Sequence, residues 1–177
     1  MNNTVIIDLE ATCCNKGSFP REEMEIIEIG AVSISNDTKE IVSEFQAFIK
    51  PERHPILTDF CTELTSITQK DVDAAEGFVS VAESLKKWIM DQDVRNFCSW
   101  GFYDQTQFSR DYKYHNMDYI FSNGHRNIKI EFAEKKGLKR GVGLGKALKM
   151  LGMEFHGTAH RGIDDARNMA RIYKSIL

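Results

Sequence analysis

The sequence predicts an α/β domain in which a mixed β-sheet is flanked by α-helices. Three strand-like segments come first, and helical segments then alternate with strand-like ones along the rest of the chain. That order is typical of a layered sheet with helices packed on its faces. A chain of 177 residues, with 42% hydrophobic and 28% charged residues, suits one globular domain that covers 1–177.

The strands are predicted from β-branched and apolar runs that are bounded by turn residues. The second and third runs flank Asn36 and Asp37, which favour a hairpin turn. The predicted strands are Thr4–Glu10, Ile26–Ser35, Lys39–Ile49, Val94–Ser99 and Asn127–Ile130.

The helices are predicted where apolar residues recur at helical spacing. The C-terminal segment carries the clearest such stripe, formed by Ala166, Met169, Ala170, Tyr173, Ile176 and Leu177. The predicted helices are Asp59–Leu64, Gln69–Val72, Phe78–Met90, Asp104–His115, Leu144–Leu151 and a last helix that begins near Asp164 or Asp165.

Composition argues against membrane and secreted classes. No apolar run approaches the roughly 20 residues that cross a bilayer. The N-terminal stretch lacks the basic region of a signal peptide. The four cysteines show neither a CxxC pair nor zinc-site spacing, so free thiols in a reducing cytoplasm are expected. They are Cys13, Cys14, Cys61 and Cys98.

The distribution of charge is more informative than the net charge of −3. Between Arg126 and Lys149 there are eight basic residues and two acidic ones, Glu131 and Glu134. Such a segment suits contact with phosphates. An ordinary solvated surface would have the same composition, so the sequence leaves both interpretations open.

Two acids end the first predicted strand. Side chains alternate along a strand, so Asp8 and Glu10 point to the same side. Two neighbouring carboxylates repel each other, and a divalent cation such as Mg²⁺ or Mn²⁺ removes that repulsion. The alternative is a strand end whose acids simply face solvent.

Two later segments supply further polar groups. Asp104 follows a predicted strand and a glycine turn, and His160 precedes Asp165 at the start of the last helix. Each has a simpler interpretation, because Asp often caps helices and His often lies in surface loops. Together with the first pair, they provide four carboxylates and one base, which suits two-metal phosphoryl transfer.

In this order the motifs resemble the DEDDh 3′–5′ exonucleases, which have an RNase H-like fold. The likeness extends over nearly the whole chain and is strongest to the subgroup that contains the histone-mRNA 3′-end exonuclease and its compact bacterial relatives. The segments that carry the narrower resemblance are Ile7–Cys13, Asp59–Cys61, Leu64–Gln69, Leu151–Met153 and Gly162–Asp165.

The resemblance implies two divalent metal ions, Mg²⁺ or Mn²⁺, and a role for each motif residue. Asp8 would contact both ions, Glu10 and Asp165 would complete one metal site, and Asp104 would hold the other. His160 would accept a proton from the attacking water. The reaction would release nucleoside 5′-monophosphates from single-stranded 3′ ends, with RNA favoured and DNA possible.

The resemblance also implies where the terminal nucleotide binds. Phe60, Leu64 and Tyr103 match positions that hold the terminal base, although a Trp is frequent where this chain has Tyr103. Ala11 and Thr12 match the segment that contacts the terminal sugar. A place in the helix core is the alternative for Phe60 and Leu64.

Two other functions are compatible with the same fold. One is a non-catalytic nucleic-acid-binding module, which the basic segment favours. The other is an RNase H-like endonuclease, which the spacing of His160 and Asp165 disfavours. The sequence does not indicate an oligomeric state.

Overall fold

The strands form one mixed sheet. A computed structural model of the chain describes residues 3–15, 17–92, 94, 97–121 and 124–176. Within these residues the sheet has five strands in the order β3-β2-β1-β4-β5. The strands are β1 (Asn3–Ala11), β2 (Ile26–Ser35), β3 (Ile41–Phe48), β4 (Phe97–Ser99) and β5 (His125–Asn127).

The helices follow the first three strands. A short 3-10 turn at Arg21–Glu23 precedes β2. The α-helices of the described residues are α1 (Asp59–Thr65), α2 (Gln69–Asp73), α3 (Phe78–Asp91), α4 (Tyr103–Tyr114), α5 (Ile128–Lys135), α6 (Leu144–Met150) and α7 (Gly162–Ile176). None of them is both long enough and apolar enough to cross a membrane.

The central strand of the sheet is β1. It runs antiparallel to β2 and parallel to β4, while β2 pairs antiparallel with β3 and β4 pairs parallel with β5. The mixture of parallel and antiparallel pairs confirms the predicted α/β class. The central strand β1 is also covered on both of its faces. A polar side chain on β1 therefore lies among mostly apolar neighbours.

The two faces of β1 belong to two different cores. Val5, Ile7 and Leu9 pack with α3 and α4, whereas Ile6 packs with α5, α6 and α7. Because side chains alternate along a strand, Asp8 and Glu10 share the face of Ile6. The strand therefore directs both acids toward α7.

Most predicted elements are confirmed within a few residues, and one strand is wrong. The predicted strand Asn127–Ile130 is the start of α5, because the Asn127 side chain accepts the Ile130 N–H and caps that helix. The missed strand β5 ends at Asn127. In the predicted strand Val94–Ser99, residues 95 and 96 lie outside the described residues, as does Leu177 of the C-terminal stripe.

The start of α7 packs directly on the backbone of β2. Gly30 lies opposite Asp8 in the β1–β2 pairing. A Cβ added to Gly30 would overlap backbone atoms of Gly162 and Ile163, and one added to Gly162 would lie 3.1 Å from the Asp8 carbonyl oxygen. Only hydrogen fits at Gly30, and a Cβ at Gly162 would be tightly packed, so this contact fixes how closely α7 approaches the sheet.

We expect Gly30→Ala to destabilise the protein by at least about 3 kcal/mol, because the new methyl group must displace backbone rather than a flexible side chain. Gly145→Ala in α6 is the matched control, since its Cβ would meet no atom within 4 Å. That control should be neutral or stabilising by up to about 1 kcal/mol. Urea unfolding of both variants measures the difference, and equal stabilities would contradict the packing argument.

Candidate active site

Three carboxylates from two elements meet at one point. Asp8 and Glu10 come from β1, and Asp165 comes from the first turn of α7. One carboxylate oxygen of each lies within 4.8 Å of the others. This separation suits a shared cation, since hard divalent ions prefer carboxylate oxygen. The structure therefore brings Asp165 together with the two acids of the first strand.

Asp104 reaches the same pocket from α4. Its Oδ1 accepts the backbone N–H of Leu9 at 3.1 Å, which ties α4 to the central strand. The cap position of α4 is Phe102, and it makes no side-chain cap bond. The helix-capping interpretation of Asp104 is therefore wrong. Asp104 lies outside the group of three mutually close carboxylates, but it lines the same pocket.

Burial and mutual repulsion make these carboxylates hard to ionise. Burial, followed by the charges of Asp104 and Asp165, raises the pKa of Asp8 well above its ordinary value. Burial is also the largest cause for the other three. It raises the pKa of Glu10 to about 8 and the pKa values of Asp104 and Asp165 to about 6.

The donor set fits a cation site. Among the residues that the structure describes, no Lys or Arg forms an ion pair with Asp8, Glu10, Asp104 or Asp165. Buried carboxylates are normally paired or coordinate metals. An external divalent ion would supply the missing positive charge and ionise the cluster at neutral pH.

The metal-free protein should become less stable as the pH rises from about 4 to about 8. The folded state retains protons on these carboxyls above the pH at which the unfolded chain releases them, so the slope of the unfolding free energy is negative. Thermal unfolding in EDTA across this range measures the effect. Adding Mn²⁺ at pH 8 should raise Tm, and Glu10→Gln should reduce the pH dependence. A Tm that rises with pH in both proteins would contradict this account.

His160 lies at the edge of the pocket, before α7. Its side chain is exposed, and its backbone has a φ of 61°, in the left-handed region that non-glycine residues seldom adopt. The backbone N–H of His160 donates to Asp165 Oδ2 at 2.7 Å. This bond ties the backbone of His160 to one carboxylate of the cluster.

A buried ion pair holds the segment that carries His160. Glu28 on β2 has no exposed surface, and it accepts bonds from Arg161 Nε at 3.1 Å and Nη2 at 3.2 Å. Its Oε2 also accepts the N–H of Gly162. Sequence reasoning missed this pair, although an acid within the apolar run of β2 was an available signal.

The pocket above the carboxylates encloses about 350 Å³. Ala11, Leu64 and Tyr103 line it, as expected from the sequence. Leu64 is 38% exposed, whereas Cys61 and Thr65 are the buried residues of α1, so the helix-core interpretation of Leu64 is wrong.

Two of the expected nucleotide contacts lie outside the pocket. Phe60 is half-buried and lines a neighbouring depression with Cys14 and Thr58. Thr12 is buried, and its hydroxyl accepts the N–H of Glu25. The hydroxyl of Thr12 is thus engaged with the backbone of Glu25, and Thr12 does not line the pocket.

Sequence reasoning missed several walls of the pocket. Two of them belong to the first motif segment but were not assigned to the pocket, whereas the other three come from distant parts of the chain and meet only through the fold. These walls are Leu9, Cys13, Met24, Trp100 and Leu144.

The fold and the carboxylate cluster define the class of the protein: an RNase H-like nuclease domain. The chain belongs to the exonuclease family whose model matches residues 5–173, and within it to the DEDDh group. Membership of this family implies divalent metal ions at the site. The predicted family and fold are thereby confirmed.

Solved structures carry the assignment to the DEDDh group. The nuclease domain of 3′hExo, a DEDDh family member bound to rAMP, superposes with a TM-score of 0.91 at 31% identity, covering 98% of this chain and 90% of that one. A structure of 3′-end specific recognition of a histone mRNA stem-loop by 3′-exonuclease gives 0.91 at 30%, covering 98% and 62%.

Curated relatives are longer than this chain. ERI1 exoribonuclease 2 of Mus musculus is 32% identical over 188 residues, which cover 94% of this chain and 27% of the relative. The 3′-5′ exoribonuclease 1 of Homo sapiens is 33% identical over 175 residues, which cover 94% and 50%. The chain therefore spans between about a quarter and a half of these relatives.

Proposed function

We propose that this chain is a 3′–5′ exonuclease that hydrolyses the terminal phosphodiester of single-stranded nucleic acid and releases nucleoside 5′-monophosphates. The observation that carries the proposal is the convergence of Asp8, Glu10 and Asp165 beneath a pocket that Asp104 and His160 also line. RNA is the favoured substrate and DNA a possible one, since the relatives are named as exoribonucleases and one nuclease domain was solved with rAMP.

The carboxylates would hold two divalent ions, Mg²⁺ or Mn²⁺. Bound ions would stabilise negative charge on the attacking and leaving oxygens of an in-line displacement. The family resemblance gives Asp8 the shared position, and its carboxylate lies within 4.8 Å of those of Glu10 and Asp165. Isothermal titration with Mn²⁺ tests the number: two ions per chain support the proposal, and one contradicts it.

His160 is the proposed general base. An imidazole accepts a proton at neutral pH, and this one is exposed at the rim of the pocket. The bond from its backbone N–H to Asp165 keeps the His160 backbone beside the proposed ligands. Arg161 and Glu28 position the His160 segment without touching the substrate themselves.

The hydrophobic wall of the pocket is the proposed binding site of the terminal base. Leu64 and Tyr103 offer an apolar side chain and an aromatic ring, which accept any base. Burial raises the pKa of Tyr103, so its ring stays neutral. Ala11 lies at the end of β1 beside the carboxylates, where the terminal sugar would sit.

A 5′-labelled single-stranded RNA incubated with Mn²⁺ or Mg²⁺ tests the activity. The expected result is a ladder that shortens from the 3′ end, stops with chelator and leaves a circular RNA intact. Binding without shortening under any metal would overturn the proposal and indicate a non-catalytic binding module. Cutting of the circle would indicate an endonuclease, and a DNA of the same sequence measures the RNA preference.

We also infer a cytoplasmic location. All four cysteines are free thiols, which suits a reducing compartment. Fractionation of cells that produce the protein checks this, and recovery from an oxidising compartment would contradict it.

A further inference from the structure

Six cations form an exposed surface beside the pocket, here named the basic flank. Its members belong to the end of α5, the following loop and α6. They are Lys135, Lys136, Lys139, Arg140, Lys146 and Lys149. Within the described part of the chain, none of the six forms an ion pair with a carboxylate. Glu131, an acid on α5 before the flank, pairs with Arg126 at 2.8 Å and not with a member of the flank.

The loop and helix that carry the basic flank also contribute to the pocket wall. Leu144, the first residue of α6, lines the pocket, and Lys146 follows two residues later. The Nε1 of Trp100, another wall residue, donates to the Val142 carbonyl at 3.0 Å and fixes the loop there. Arg140 precedes Leu144 by four positions, so their Cα atoms lie no more than about 15 Å apart.

The part of the pocket wall that α1 supplies is bordered by acids instead. Leu64 lines the pocket from α1, and the exposed acids Asp59 and Glu63 of the same helix border the depression beside it. A phosphate chain that left the pocket past α1 would meet two carboxylates. A chain that left past Leu144 would meet cations without partners.

We propose that the basic flank binds the phosphates of the nucleotides that precede the 3′-terminal one, so that single-stranded RNA leaves the pocket past Trp100 and Leu144. This inference rests on the proposed exonuclease function and adds the path of the substrate to it. The chain then favours oligonucleotides long enough to reach the flank, and their sequence does not matter because the contacts are with phosphates.

Removing three cations from the flank tests the path. The variant is Lys139→Gln, Arg140→Gln and Lys146→Gln together. The matched control is Lys86→Gln, Lys87→Gln and Lys113→Gln on α3 and α4, which pack on the other face of the sheet. Both variants lose three charges, and the five lysines and one arginine concerned make no ion pair in the described part of the chain.

Two substrates separate the pocket from the flank. One is a 20-nucleotide single-stranded RNA, and the other is the p-nitrophenyl ester of thymidine 5′-monophosphate, which fills the pocket alone. For the flank variant, kcat/KM on the RNA should fall roughly 10- to 100-fold at 0.1 M salt, and on the ester less than about 2-fold. The slope of log affinity for RNA against log salt should become shallower by about 2. The control should match the unmodified protein on all three measures.

Each contrary outcome has one meaning. If the unmodified protein does not shorten RNA, the exonuclease proposal fails before the path is tested. If it shortens RNA and the flank variant keeps its RNA turnover and salt slope, the path is wrong. Equal losses on the RNA and the ester, or equal losses in the control, would likewise overturn the path, because the effect would then be global.

Discussion

Asp8→Asn should abolish hydrolysis, with a loss of at least about 10³-fold in kcat. The substitution keeps the shape of the side chain and removes the charge from the centre of the carboxylate cluster. Because Asn is a weaker ligand for a hard divalent ion, binding of Mn²⁺ should weaken together with the activity. Single-turnover kinetics and Mn²⁺ titration measure both.

Asp164→Asn is the matched control for this prediction. Asp164 lies next to Asp165, but its carboxylate accepts the Thr158 N–H and pairs with Arg167, and it does not line the pocket. The same chemical change there should cost at most about 10-fold, since no ligand is lost. Similar losses in both variants would mean that the start of α7 matters for folding rather than for metal binding.

His160→Asn should lower kcat by about 10²- to 10⁴-fold and leave Mn²⁺ affinity nearly unchanged. Asn is preferred to Ala for this test because His160 has a φ of 61°, which Asn tolerates better than other replacements. The backbone bond to Asp165 is also retained. The loss then reports on the missing proton acceptor rather than on backbone strain.

His156→Asn serves as the control, because His156 is exposed and does not line the pocket. Its activity should stay within about 2-fold of the unmodified protein. A His160→Asn protein with full activity would show that another group accepts the proton. A His160→Asn protein with weakened Mn²⁺ binding would show that His160 mainly orders the ligands.

The sequence predicts the elements whose signals are local. The bounds of β2 match the prediction, since a long apolar run ends at turn residues. The strand predicted at Asn127–Ile130 fails because Ile128 and Ile130 alternate like a strand, while a side-chain cap from Asn127 starts a helix. Periodicity over four residues cannot separate the two outcomes.

The residues of the site also divide into those that have a local signal in the sequence and those that do not. The acids and His160 were predictable because each stands at the end or the beginning of an element, and because the motif order matches a known family. Glu28 and Trp100 were not, since their roles depend on Arg161 and Val142, which are distant in sequence. The two base-pocket candidates on α1 had identical local signals, and only the packing of α1 separates Leu64 from Phe60.

The contact between Gly30 and Gly162 has a consequence for how this scaffold can diversify. Where two backbones touch, neither residue has a side chain to exchange, so this contact beside Asp8 leaves little room for substitution. Leu64, Tyr103 and Leu144 line the pocket and take no part in that contact. We therefore expect relatives of this domain to change substrate preference by replacing residues of the pocket wall, while the contact between Gly30 and Gly162 is kept.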